Sequence, residues 1–254
     1  MDTPLTNIDK KEAAKHNMNT DKFAHYYPIY DFYLHALRQE KVNILEIGVK
    51  NGESLRLWKK YFPNAKIWGV DIDPKCLSHK EENIEILIGD QNNPSTFDPI
   101  KKIDFDIIID DGSHVFFHMI NSYEYLWESL KNGGLYFIED TSMVFHNHFL
   151  GYPQDRDRWD EFLVKQIRSV DLDIFSSNLV EKRIQADKSN RANFSHPISQ
   201  NIEKYLNMNP REFRNDILFF HHYCNLMVVK KKFDTESSIF EQIDTKEKIL
   251  GNLR

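Results

Sequence analysis

Cysteine is scarce in this chain: 254 residues hold two, Cys76 and Cys224, far apart and without metal-ligand spacing. That excludes a disulfide-stapled scaffold and a thiolate metal centre, and two free thiols in a reducing compartment are expected. No stretch approaches the roughly 18 consecutive apolar residues that a membrane span needs, so no contact with a membrane is expected. Met1 is followed by Asp-Thr-Pro and a charged stretch rather than a signal peptide, and a cytoplasmic location is the expectation. Basic charge is not in surplus, with 33 Lys and Arg against 39 Asp and Glu and a formal net charge of -6. Phosphate binding along a duplex needs a basic surface, so nucleic acid is not expected as the partner, though a local patch for a nucleotide diphosphate remains compatible. There is no internal repeat. GxGxxG does not follow the first apolar run, and no Tyr-xxx-Lys pair sits on a helix after a strand, which argues against a nicotinamide-dependent oxidoreductase or epimerase.

What is present is an alternation of short apolar runs with helical patterns over residues 41–140, at a length that suits one α/β domain with modest additions. The apolar run that opens the stretch Asn43 to Ser54 reads as a short strand, followed by a turn with Gly48 and Gly52 and then an amphipathic segment from Leu55 to Tyr61. Such a unit presents backbone N–H groups and a helix N-terminus at the carboxyl end of a parallel strand, where nucleotide ligands bind. The spacing is ExGxxxG, with Glu46 at the strand end, and an acid there suits a ligand carrying positive charge rather than a pyrophosphate. The next run, Lys66 to Asp71, ends in an acid about 20 residues after the glycines, the distance at which a carboxylate reaches ribose hydroxyls. Asp73, before Pro74, is alternatively a helix cap. Further runs end in Asp90-Gln91, in Asp110-Asp111-Gly112-Ser113-His114 and in Glu139-Asp140. Five consecutive strands with acids at their carboxyl ends point to a ligand cleft along one edge of the sheet. Asp111, Glu139 and Asp140, from neighbouring strand ends, can converge on one hard cation, since oxygen ligands suit Mg²⁺. The bland alternatives stay open: an ordinary turn at Asp90-Gln91, a helix-start role for His114, and a cap at Glu139-Asp140.

Four segments together resemble the S-adenosylmethionine-dependent methyltransferases, and more closely the sugar O-methyltransferases of macrolide and surface-polysaccharide sugars. They are Thr20-Asp21-Lys22 with His25-Tyr26, Leu45 to Val49 with Ser54 to Trp58 and Tyr61-Phe-Pro63, Asp106 to His114 (DIIIDDGSH), and Gly133 to Asp140 (GGLYFIED). The resemblance implies a Rossmann-like seven-stranded α/β sheet with helices on both faces and an antiparallel last strand. It also implies an N-terminal helical cap and an insertion before the last two strands. Cofactor contacts would come from Thr20, Lys22, Tyr26, Glu46, Gly48, Gly52, Ser54, Asp71, Asp90, Gln91 and Asp110. Asp111, Glu139 and Asp140 would hold Mg²⁺ or a similar divalent cation, and His114 would be the general base. The acceptor implied is a nucleotide-linked or saccharide sugar of surface-polysaccharide biosynthesis. A small phosphorylated or phenolic acceptor, or a non-catalytic partner protein with the same fold, are the alternatives. From sequence alone Asp21 is equally a helix N-cap. The run Thr141 to His148 departs from the family's pattern, which leaves substrate contacts there open.

The rest of the chain is read more coarsely. Residues 1–40 form the helical cap, with Ile29, Phe32, Tyr33, Ala36 and Leu37 at helical spacing. His118 to Leu130 is predicted as a helix stopped by Asn132-Gly133-Gly134. Residues 141–215 read as the acceptor-site insertion, with a helix near Trp159, a loop over 188–197, and Arg156, Arg158 and Arg191 available to an acceptor phosphate. Ile217 to His222 and Asn225 to Lys230 are the final strands, and 233–254 is a charged tail with a helix near 238–243. His146, His148, His221 and His222 lack metal spacing. A homo-oligomer is compatible with all of this.

Overall fold

Alternation within the short apolar runs decides the layers. In β4, Phe105–Asp110, Ile107 and Ile109 face one way and Ile108 the other, and all three are wholly buried. Side chains alternate along a strand, so a run that is apolar at every position must be covered on both faces. The computed structural model describes residues 4–16, 20–145, 154–172 and 216–233. Its seven strands form one sheet: β1 Asn43–Ile47, β2 Lys66–Asp71, β3 Ile84–Ile88, β4, β5 Leu130–Glu139, β6 Ile217–Tyr223 and β7 Leu226–Lys231. The order is β3-β2-β1-β4-β5-β7-β6. The first five strands are mutually parallel, and β7 runs antiparallel to both of its neighbours. This is the expected sheet with its antiparallel last strand.

One face is covered by α1 (Pro4–His16), α2 (Tyr26–Leu34) and α3 (Glu53–Tyr61), which pack Leu5, Tyr30, Leu34, Leu55 and Trp58 onto Ile44, Ile107 and Phe137. The other is covered by α4 (Phe116–Leu126) and α5 (Gln154–Leu172), which pack Phe116, Met119, Tyr123, Trp159 and Phe162 onto Leu45, Ile108 and Tyr136. Each such side chain contributes about 1.5–3 kcal/mol on burial. Within the proposed insertion the structure describes residues 141–145 and α5, and α5 packs against α4 and β6.

Four expectations need correction or fall elsewhere. The predicted helix over 118–130 is α4, 116–126, followed by a 3-10 turn, Trp127–Ser129. The glycines 133 and 134 do not stop a helix. They lie inside β5, which begins at Leu130, and Gly133, at φ +79°, donates to the Lys232 carbonyl at 2.9 Å. The predicted apolar stripe of the cap holds in part, with Ile29, Tyr33 and Leu37 partly buried against the core. Tyr26, Tyr27, Tyr30 and Leu34 are buried whereas Phe32 is 77% exposed, because tyrosine hydroxyls find partners in the interior. The β2–β3 and β3–β4 connections hold only 3-10 turns, Pro74–His79 and Pro94–Phe97, the first capped by Asp73 through the Lys75 amide. The loop over 188–197, Arg191, His146, His148 and the tail helix near 238–243 lie outside the described residues, as do the side chains of Arg156 and Arg158. Among the described residues no helix is long and apolar enough to cross a membrane.

Candidate active site

Strand alternation also aims the acids. Glu46, Asp111 and Glu139 share the parity of Ile44, Ile109 and Phe137, so at the carboxyl edge of β1, β4 and β5 they turn to the face covered by α2 and α3. Lys22 enters among them from the segment before α2. Its ammonium lies 2.5 Å from Glu139 Oε1, 2.7 Å from Asp111 Oδ2 and 3.2 Å from Glu46 Oε1, with its side chain 1% exposed. The Tyr30 hydroxyl donates to the same Glu139 oxygen at 2.5 Å, and Ser54 donates to Glu46 Oε2 at 2.8 Å. Burial works against the lysine charge, yet the surrounding carboxylates hold its pKa well above the usual value. Burial, reinforced by the Asp111 charge, pushes the Glu139 carboxyl up to about 8, and burial likewise raises Glu46.

A cavity of about 410 Å³ opens beside this cluster, lined by Thr20, Lys22, Tyr26, Gly48, Ser54, Asp71, Asp111, His114, Glu139 and Asp140 among others. On its wall one ligand atom each of Asp111, His114 and Asp140 lies within 4.8 Å of the others. His114 Nε2 stands 3.6 Å from Asp140 Oδ2. Both residues adopt left-handed backbone, at φ +57° and +56°, a conformation that costs non-glycine residues about 1–3 kcal/mol and recurs at functional sites. A second cavity of about 280 Å³ shares Gly48, Asp71 and Gly112 with the first and adds Ile72, Asp90, Gln91 and His118. The two read as lobes of one cleft over the glycine turn.

The turn is pinned by Asp71. Its Oδ2 accepts from Val49 N at 2.7 Å and Lys50 N at 2.9 Å, and its Oδ1 from Asp73 N at 2.9 Å. Burial alone would raise this carboxyl, but the backbone donors hold it below the usual carboxylate value. Gly48, at φ +93°, approaches β4 so closely that a Cβ there would meet the Asp111 carbonyl oxygen at 2.0 Å. Asp21 does not cap a helix. It pairs with Lys50 at the cavity rim, so the segment 20–22 and the glycine turn are tied across the opening.

Some predicted contacts are spent internally. Asp110 has the opposite parity and is 1% exposed; both its oxygens accept from Gln91 Nε2 at 2.8 Å, and Ser122 donates at 2.6 Å. Gln91 also accepts from Ser113 N at 2.9 Å. Asp110 lines neither cavity, and the pair instead ties β4 to α4 and the loop after β3. Glu46 and Gly52 line neither cavity. The Thr20 hydroxyl engages Asp9 and Tyr27. Glu139 lies outside the three-residue ligand cluster, and His114 takes its place there. Residues that sequence reasoning missed are Tyr30, Asn225 and Phe23, a 46% exposed ring at the cavity mouth. Of these only Asn225 carried a local signal, as the residue between two β-rich runs, and that signal speaks of a turn rather than a site.

No family model matches the chain. Curated relatives do. Over 140 residues it is 42% identical to a mycinamicin VI 2''-O-methyltransferase of Micromonospora griseorubida, covering 51% of this chain and 35% of the relative. Over 166 residues it is 32% identical to an 8-demethyl-8-alpha-L-rhamnosyl tetracenomycin-C 2'-O-methyltransferase of Streptomyces olivaceus, covering 61% of this chain and 43% of the relative. Among solved structures, the MycE methyltransferase of the mycinamycin biosynthetic pathway, in complex with Mg and SAH, superposes with a TM-score of 0.68 at 28% identity. That match covers 93% of this chain and 56% of the other. The chain thus spans about half or less of the length of these three proteins. By sequence and by fold the chain is similar to these O-methyltransferases, and its sheet is a Rossmann-like methyltransferase sheet.

Proposed function

We propose that this chain is an S-adenosylmethionine-dependent O-methyltransferase acting on a sugar hydroxyl. The observation that carries the reading is His114 Nε2 held 3.6 Å from Asp140 Oδ2, beside Asp111, on the wall of a cavity that runs over the glycine turn. An imidazole is suited to take a hydroxyl proton, and a carboxylate beside it stabilises the imidazolium that forms. Two partly exposed carboxylates and an imidazole also make a donor set that fits a divalent cation, and magnesium's preference for oxygen assigns Asp111 and Asp140 to it and leaves His114 as base. Glu139, the third acid of the sequence reading, stands next to them with one oxygen committed to Lys22 and Tyr30. Asp71, Asp90 and the Gly48 turn face the cofactor, and the acidic mouth suits its positive charge. When bound, S-adenosylmethionine supplies the methyl group, and the cation lowers the pKa of the acceptor hydroxyl. The protein's further share is alignment of the attacking oxygen and exclusion of water.

For the acceptor, the relatives' names point to sugars on small-molecule glycosides. A nucleotide-linked or saccharide sugar of surface polysaccharide is the finer reading carried from the sequence, with residues 141–215 covering the acceptor. Calorimetric titration with S-adenosylhomocysteine, with NADH as control, in Mg²⁺ and in chelator, tests the cofactor class. Micromolar binding of the former alone is expected. No binding under either condition would sink the methyltransferase reading. An acceptor screen of glycosides beside nucleotide sugars then separates the two acceptor classes.

A further inference from the structure

The proposed cation site leans on a part of the fold remote in sequence. β7 runs antiparallel to β5 with Leu226 opposite Glu139, so the residue before β7 meets the residue after β5: Asn225 faces Asp140. Asn225 Nδ2 donates to Asp140 Oδ1 at 2.8 Å, while its own Oδ1 accepts from Ser142 N at 2.7 Å. The second contact decides the amide's orientation, because a backbone N–H can only donate. Tyr26 Oη lies 2.8 Å from the same Asp140 oxygen and 2.8 Å from the Asn225 carbonyl; its one proton favours the charged acceptor. The Asn225 carbonyl also accepts from Thr141 N at 3.3 Å. One oxygen of Asp140 is thereby held by two donors, and the other is left facing His114. The same contacts clasp the chain at Asp140 in its left-handed conformation.

We infer that Asn225 is a positioning residue for Asp140, and that the β6–β7 turn is a working part of the cation site. The inference rests on the cation-assisted reading above. Asn225 itself sits at φ +62°, so glycine can replace it without disturbing the turn, keeping the carbonyl and deleting only the side chain.

Mn²⁺ titration of the full chain, by calorimetry and by the spin resonance of free Mn²⁺, is the test, on the unsubstituted protein, Asn225→Gly, Tyr26→Phe and Cys224→Ser. Asn225→Gly is expected to weaken Mn²⁺ binding by about 10–100-fold, the usual effect of losing a group that orients a ligand, with S-adenosylhomocysteine affinity and melting temperature nearly kept. Tyr26→Phe removes the other donor to Asp140, together with the hydroxyl's contact to the Asn225 carbonyl, and should act in the same direction. Cys224→Ser, with an exposed side chain in the same turn, should change nothing. Unchanged Mn²⁺ affinity in Asn225→Gly would overturn the inference, as would a parallel fall in Mn²⁺ affinity, cofactor affinity and melting, which marks a merely structural turn. No Mn²⁺ binding by the unsubstituted protein would overturn it together with the cation half of the proposed function, while cofactor titration would still judge the methyltransferase half on its own.

Discussion

Two groups of acids share the carboxyl edge of the sheet and Asp111 belongs to both, yet their surroundings are opposite. Around Lys22, Glu46 and Glu139 are 0% and 1% exposed and packed against an ammonium. Around His114, Asp111 and Asp140 keep 19% and 18% of their side-chain surface, and they face a cavity. In the first group the cation is covalently part of the chain, and three carboxylates against one ammonium leave excess negative charge in a dry place; the raised Glu139 and Glu46 are the response. In the second group, among the described residues, Lys22 is the only lysine or arginine paired with Asp111 or Asp140. The contrast separates holding a site together from receiving a ligand. A buried ion cluster built from the chain is strongly weakened by losing one member, whereas partly exposed carboxylates can gain and lose a cation reversibly.

The comparison is broken most severely at Lys22. Lys22→Met leaves buried carboxylates uncompensated and should cost about 3–5 kcal/mol, read as a lowered urea midpoint. A loss under about 1 kcal/mol would mean that protons replace the ammonium without penalty. On the open side, His114→Ala should lower turnover by roughly 10²–10⁴ while S-adenosylhomocysteine affinity stays nearly intact. Full turnover in that variant would remove the base assignment, and lost cofactor binding would make His114 a binding residue instead.

A smaller effect sharpens the same contrast one residue away. Burial pushes Asp110 up to about 6 even though Ser122, Gln91 and the Gly112 amide donate to it. Because this folded value lies above the ordinary 3.8, the folded state holds the proton more tightly than the unfolded chain. Its contribution to stability is therefore complete below about pH 4 and falls by about 3 kcal/mol as pH rises to about 6. Denaturation midpoints at pH 4 and pH 7 should drop more steeply in the unsubstituted protein than in Asp110→Asn. Parallel slopes would show that the hydrogen bonds to Asp110 outweigh its burial.

Legibility differed by the range of the interaction involved. β2 was readable to its end residues because a short apolar run with polar ends carries its own boundaries. β5 was not, since Asn132-Gly133-Gly134 reads locally as a stop. Only pairing of Leu130 with Phe105, and of Gly133 with Lys232, makes it strand. The α2 stripe was misread in part for a related reason: a tyrosine counts as half-apolar until a buried acid such as Glu139 gives its hydroxyl a partner.

The sequence by itself determined the ends of β2, the glycine turn, the acids at the carboxyl edge and the order of motifs, all of which depend on neighbours within one βα unit. Tertiary structure decided which acid meets which partner. Asp110 and Asp111 are adjacent in sequence and opposite in fate, because a strand turns successive side chains to opposite faces and only the packed layers say what waits there. Lys22 filling the gap beside Glu139, and Asn225 reaching Asp140 across the antiparallel pair, join segments more than 80 residues apart. No local propensity encodes such contacts; the sheet order and register bring them together.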